Sequence, residues 1–159
     1  MPRRIPFLLL SIAFAVVFAL AASVDMAHAQ SGHFVGTPTC SDAGTQVRCT
    51  GKVAGLGGET FEITVTAPGT GSIECENPAG NVAPGQNFTT GVAGSTGPQP
   101  TTENGQFRFN LETLEPSAPA RSCPNRQWTA TVTDVEFGDA TITLREDGVV
   151  SDTITVPVT

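Results

Sequence analysis

The sequence predicts an all-β domain: an immunoglobulin-like sandwich of two packed sheets, about seven to nine short antiparallel strands, held by two disulfides. Three observations lead there. Apolar and polar residues alternate with a period of two through most of the chain after Gln30, the pattern of strands with one buried face. Clusters of Gly, Pro, Asn and Asp separate the alternating runs, which is turn chemistry. Four cysteines, Cys40, Cys49, Cys75 and Cys123, follow an export signal, and an even count in an exported chain reads as two bridges.

The runs follow one another in order. In "QVRCTGKV", Val47, Cys49, Gly51 and Val53 share one face and Arg48, Thr50 and Lys52 the other. "TFEITVTA" places Phe61, Ile63, Val65 and Ala67 inward, and "SIECE" continues with Ile73 and Cys75. "QFRFNLE" gives Phe107, Phe109 and Leu111; "QWTATV" gives Trp128, Ala130 and Val132; "ATITLRE" gives Ile142 and Leu144; the last run gives Val150, Ile154, Val156 and Val158. Enrichment in Val and Thr supports strands, and no stretch after Gln30 has a helical period. "REDGVV" is a hairpin with Asp147-Gly148 as its turn. The inward positions are even at Trp128, Ala130 and Val132 but odd at Val135 and Phe137. One strand through both needs an extra residue near Thr133-Asp134, a β-bulge; a strand crossing between sheets is the alternative.

Residues 1–29 read as a secretory signal. Arg3 and Arg4 are followed by an apolar run from Ile5 to Ala22 and by "AHA", with Ala27 and Ala29 at the small positions of a cleavage site. A retained anchor is the competing reading, because the run is nearly long enough to span a bilayer. Residues 30–159 are then one exported domain, since about 130 residues support a single core. The location expected is extracellular, with association to the cell envelope as a variant of it.

Of the three pairings that four cysteines allow, Cys40–Cys49 and Cys75–Cys123 are favoured. The first closes a loop of hairpin size, and the second joins "CENP" to "CPNR", two segments that leave strands for turns. The stretch "CENPAGNVAPGQN" is read as a long loop anchored at Cys75. Pro78 and Pro84 stiffen it, and Asn77, Asn81 and Asn87 can bond nearby backbone. Those asparagines are the candidate binding residues, since an ordered loop can carry function; a flap covering a sheet edge is the plainer reading. "NFT" at Asn87 is also a glycosylation sequon.

Three segments, "VRCTGKVAGLGGE", "CENPAGNVAPGQN" and "CPNRQWTATVTDVEFGDATITL", together resemble a group of small exported bacterial proteins of unassigned function. The resemblance spans most of the chain from Val47 to Leu144 and implies a shared fold and an exported location. It implies no reaction and no catalytic residues.

Charge narrows the partners. The chain has 8 basic and 15 acidic residues, and loss of Arg3, Arg4 and Asp25 with the signal leaves a net charge of −8. Nucleic acid and anionic membrane surfaces need clustered cations, so neither is expected. A protein or glycan at the cell surface is the kind of partner left. His33 is the sole histidine after the signal, too little for a serine triad, a zinc site or a cupredoxin copper site. Paired cysteines leave no thiol nucleophile. Glu74 and Glu76 share a strand face and are a weak carboxylate pair; Asp134, Glu136 and Asp139 are a weak calcium group. Trp128 is either an exposed carbohydrate platform or, by its parity, a core residue against a disulfide. No cofactor and no metal site is expected. The reading is a non-catalytic binding or cell-envelope interaction module. The alternatives are a small hydrolase using carboxylates and an acidic small-molecule carrier with an apolar cleft lined by Phe107 or Phe109.

Overall fold

The structure is a computed structural model that describes residues 32–159; the expected signal, residues 1–29, lies outside them. The described residues form strands β1 (His33–Phe34), β2 (Thr39–Asp42), β3 (Val47–Ala54), β4 (Thr60–Glu76), β5 (Val82–Pro84), β6 (Phe88–Ser95), β7 (Gln99–Pro100), β8 (Phe107–Glu112), β9 (Thr129–Phe137), β10 (Ala140–Glu146) and β11 (Val149–Val156). The two-sheet architecture is the one the sequence predicts. The strands number eleven rather than seven to nine, because β1, β5 and β7 have two or three residues, too few to show a period.

In the four-stranded sheet β3 is central, with β8 on one edge and β1 and β2 in succession on the other. In the seven-stranded sheet the 17-residue β4 is the spine. Along one edge it pairs with β10 and then β9; along the other with β7, β6 and β5. β11 adds to β10. All these pairings are antiparallel, which lets short turns join successive strands.

The core is the alternation made physical. Phe61, Ile63, Val65, Ala67, Ile142 and Leu144 from the large sheet meet Val47, Cys49, Val53 and Phe109 from the small one, all nearly or fully buried. Each of the Val, Leu, Ile and Phe side chains contributes roughly 1.5–3 kcal/mol on burial. Phe107 packs on Phe61 with ring centroids 4.9 Å apart, and Phe34 meets Phe109 edge-on at 6.2 Å.

The bulge is where parity placed it. Asp134 faces Ser72 and Val132 faces Ile73, so Thr133 is the extra residue. That shift lets Val135 reach full burial while β9 stays on the edge of β4. The Asp147-Gly148 turn is also present, with φ of 48° and 82°. Two positive values define a type I′ turn, whose twist matches the strands it joins.

Val150 departs from expectation. It is exposed, not inward, because Leu144 faces Asp152 while Arg145 faces Val150. Ser151 is thus a second bulge and reverses the parity of the residues before it. His33 lies in β1, paired with Ala54, so the residues just past the expected signal are held in a sheet.

The reason is a buried carboxylate. Glu146 is fully buried, its Oε2 accepts from the Gly32 amide at 2.9 Å, and its Oε1 accepts from the Gly57 and Gly58 amides at 2.7 and 3.3 Å. The Phe34 amide donates to Asp152 Oδ2 at 2.9 Å. These bonds stitch the first strand, in one sheet, to β10 and β11 in the other. The chain end repeats the device: Thr159 exchanges backbone bonds with Cys40 and Asp42 of β2.

Replacing Glu146 by Ala leaves three amides without their acceptor. Unfolding in urea is expected to show a loss of about 3 kcal/mol or more, the value of two or more charge-assisted bonds. Exchange of the Gly32, Gly57 and Gly58 amides is expected to rise even where the sheets remain intact.

Candidate functional site

The asparagine-rich stretch is a hairpin, not the long loop expected. β5 returns along the end of β4, with Cys75 facing Ala83 and Glu76 facing Val82. One side chain makes the turn. Asn77 Oδ1 accepts from the amides of Ala79 and Asn81, both at 2.9 Å, an Asx-turn. Asn81 takes part through its backbone, and Asn81 and Asn87 are both exposed. The three asparagines therefore do not converge on a common point. Gly85 is the close-approach residue: a Cβ there would lie 2.6 Å from Ile73 Cγ2 and 2.9 Å from Cys75 Sγ.

The length of β4 creates the site. At about 3.4 Å per residue it is roughly twice as long as β3. The shared core ends along β4 at Ala67, and Ile73 and Cys75 are buried outside it. Residues 113–128, which form no regular structure, meet this far end. Pro116, Pro119 and Pro124 explain their irregularity, since proline cannot donate to a ladder.

The segment is fixed to the sheets at its start and in its middle. At its start Thr113 is buried, its amide donates to the Val47 carbonyl, and its Oγ1 accepts from the Val47 amide, both at 3.0 Å. In the middle Cys123 is bonded to Cys75, with Cα atoms 5.7 Å apart, and the Gln86 amide donates to the Ser122 carbonyl at 3.1 Å. At its end the Trp128 amide donates to the Asn125 carbonyl. The other bridge, Cys40–Cys49, joins directly opposed residues of β2 and β3, with Cα atoms 4.1 Å apart. Both pairings are the favoured ones. Through the entropy of the unfolded chain they contribute about 2.5 kcal/mol (Cys40–Cys49) and about 4 kcal/mol (Cys75–Cys123).

Between the segment and the sheet lies an open, cleft-like cavity of ≈ 910 Å³, lined by residues 84–86 and 119–126 with Trp128 and Ala130, most of them exposed. That is near the upper end of the range of ligand pockets. Trp128 is half-buried at its wall. It sits near the Cys75–Cys123 bridge, as parity implied, but it is not a core residue, because the core stops short of this end of the sheet. Arg121, also on the wall, has φ of 71°. A non-glycine residue there is strained, and such strain collects at functional sites. No Asp, Glu or His lines the cavity. Ser122 does, but its hydroxyl is committed to the Pro119 carbonyl at 2.6 Å.

The remaining candidates disperse. Glu74 and Glu76 are exposed and face Thr131 and Thr129 across the sheet, with Pro84 and Val82 on the other side, not a second carboxylate. Asp134, Glu136 and Asp139 do not gather: among the described residues no group of three or more His, Cys, Asp or Glu side chains could hold a metal. Phe107 and Phe109 pack on the core instead of lining an apolar cleft. Sequence reasoning passed over Arg121 and Arg126; the proline spacing around Cys123 was the available signal. No protein-family model and no curated protein matches the chain.

The turn assigns different roles to the asparagines. Asn77→Ala is expected to lower stability by about 1–2 kcal/mol, the value of one to two hydrogen bonds. Asn81→Ala is expected to stay within about 0.5 kcal/mol, as exposed substitutions do. Equal losses in chemical denaturation would contradict this division.

Proposed function

We propose that the chain is an exported, non-catalytic binding module that holds a small ligand in the cavity beside the Cys75–Cys123 bridge. The observation that carries the reading is the cavity's composition. Its wall combines the only tryptophan of the chain with prolines and amide side chains, the mixture of apolar surface and few polar groups that ligand sites use. Its lining offers no carboxylate pair, imidazole or thiol for acid–base or nucleophilic work. Two disulfides support an oxidising, exported setting.

The carrier reading moves with this cavity. The ligand would not sit among Phe107 and Phe109, whose rings belong to the core. It would sit at the far end of β4, beside a segment pinned by a covalent bond. Preorganisation of this kind lowers the entropy lost on binding.

Equilibrium dialysis against the low-molecular-mass fraction of the native culture medium tests the proposal. Mass spectrometry is expected to find at least one compound retained by the wild-type protein and about tenfold less by Trp128→Ala, the effect of losing one good stacking contact. Equal retention by both proteins contradicts the site. Conversion of the retained compound into a product contradicts the non-catalytic role.

A further inference from the structure

Resting on that reading, we infer that the cavity selects an organic anion: a carboxylate, sulfate or phosphate group carried on a flat apolar body. Two arginines, Arg121 and Arg126, are among its lining residues. Neither side chain makes an ion pair or a hydrogen bond among the described residues. Arg48, by contrast, is paired to Glu112 at 2.9 Å, and Arg145 donates to the Gly148 carbonyl. The side chains of Lys52 and Arg108, which oppose each other across β3 and β8, likewise make no ion pair or hydrogen bond among the described residues, and neither lines the cavity. After the signal only six basic residues stand against fourteen acidic ones, yet two of the six share one cavity and none of the fourteen lines it.

No acid of the adjoining β4 lines the cavity. Ala83 and Ala130 flank Cys75 in the sheet, and Ala130 lines the cavity, as does Pro84, the partner of Glu74. Glu74 and Glu76 alternate with Cys75 and occupy the face opposite to it. The net negative charge would repel an anion at long range, but at physiological salt that field decays over about 8 Å. Inside the cavity the local pair of arginines therefore decides the sign of the site. A guanidinium offers planar, forked donors that match a carboxylate, sulfate or phosphate. Its positive φ fixes Arg121 in an arrangement that costs energy, which is accounted for if its position serves the ligand. Trp128 supplies the surface for the apolar body, since indole stacks well on flat groups.

The chain has one tryptophan and no tyrosine, so its fluorescence reports on this cavity alone. Three probes of one shape and different charge separate the possibilities: biphenyl-4-sulfonate, biphenyl-4-sulfonamide and 4-phenylbenzylammonium. The sulfonate is expected to change Trp128 emission saturably, at least about tenfold more tightly than the neutral sulfonamide, the value of one charge-assisted hydrogen bond. Added salt should weaken the sulfonate alone. The double variant R121Q/R126Q, at two exposed positions, should bring the sulfonate to the level of the sulfonamide and leave the sulfonamide unchanged. R126K, which keeps the charge, should retain most of the preference. If the sulfonamide or the ammonium probe binds as tightly as the sulfonate, the anion inference is overturned and the binding-module reading stands. If no probe changes the emission up to its solubility, the cavity is not an organic-ligand site and that reading falls as well.

Discussion

A sheet whose spine is twice as long as the central strand of the sheet it packs against has an end that the sandwich cannot cover. That is the constraint from which the rest of this molecule follows. The first half of β4 buries Phe61, Ile63, Val65 and Ala67 against the small sheet. The second half carries Ile73 and Cys75 beyond that layer, and apolar surface left in water would cost roughly 25 cal/mol per Å². Residues 113–128 meet this end. A proline-rich segment has few backbone bonds with which to hold itself there, and the Cys75–Cys123 bridge supplies the tether. A cover built in this way is shaped by its covalent anchor rather than by close side-chain packing, so an open cleft remains beside it.

The opposite end of the sandwich is closed by polar chemistry. Glu146 gathers the Gly32, Gly57 and Gly58 amides in a fully buried site, and Asp147 accepts from the Glu59 and Thr60 amides. A buried carboxylate is tolerated only when its acceptor capacity is filled, and here backbone amides fill it. Two adjacent acids thus hold the start of β1, the approach to β4 and the hairpin tip together. One end is thus closed by buried acids and the other by a disulfide-tethered cover beside Trp128.

What the sequence disclosed depended on how local the determinant was. The inward faces of β3, β4 and β10 were legible because period-two alternation is a property of a few neighbours. The bulge at Thr133 was legible for the same reason: a slip in parity leaves a trace in the inward set. The bulge at Ser151 was not, since Val150 is as apolar as the inward residue it imitates. The turn role of Asn77 was hidden by three asparagines in one stretch, of which geometry selects one. The cavity was out of reach. It joins residues 84–86 to 119–126 through a pairing that four cysteines leave open among three, and Arg121 and Arg126 acquire meaning only once that bridge brings them to the end of β4.

The site depends on residues 119–128 being an ordered wall held by the Cys75–Cys123 bond. Hydrogen–deuterium exchange on the unliganded, oxidised protein tests this most directly. Slow exchange is expected at the hydrogen-bonded amides of Gly85, Gln86, Ser122 and Trp128 while the bridge is intact. In the Cys75→Ser/Cys123→Ser variant that protection should vanish, with residues 47–54 and 61–67 still protected by the core. Fast exchange at those four amides in the oxidised protein, equal to that of the double variant, would contradict it.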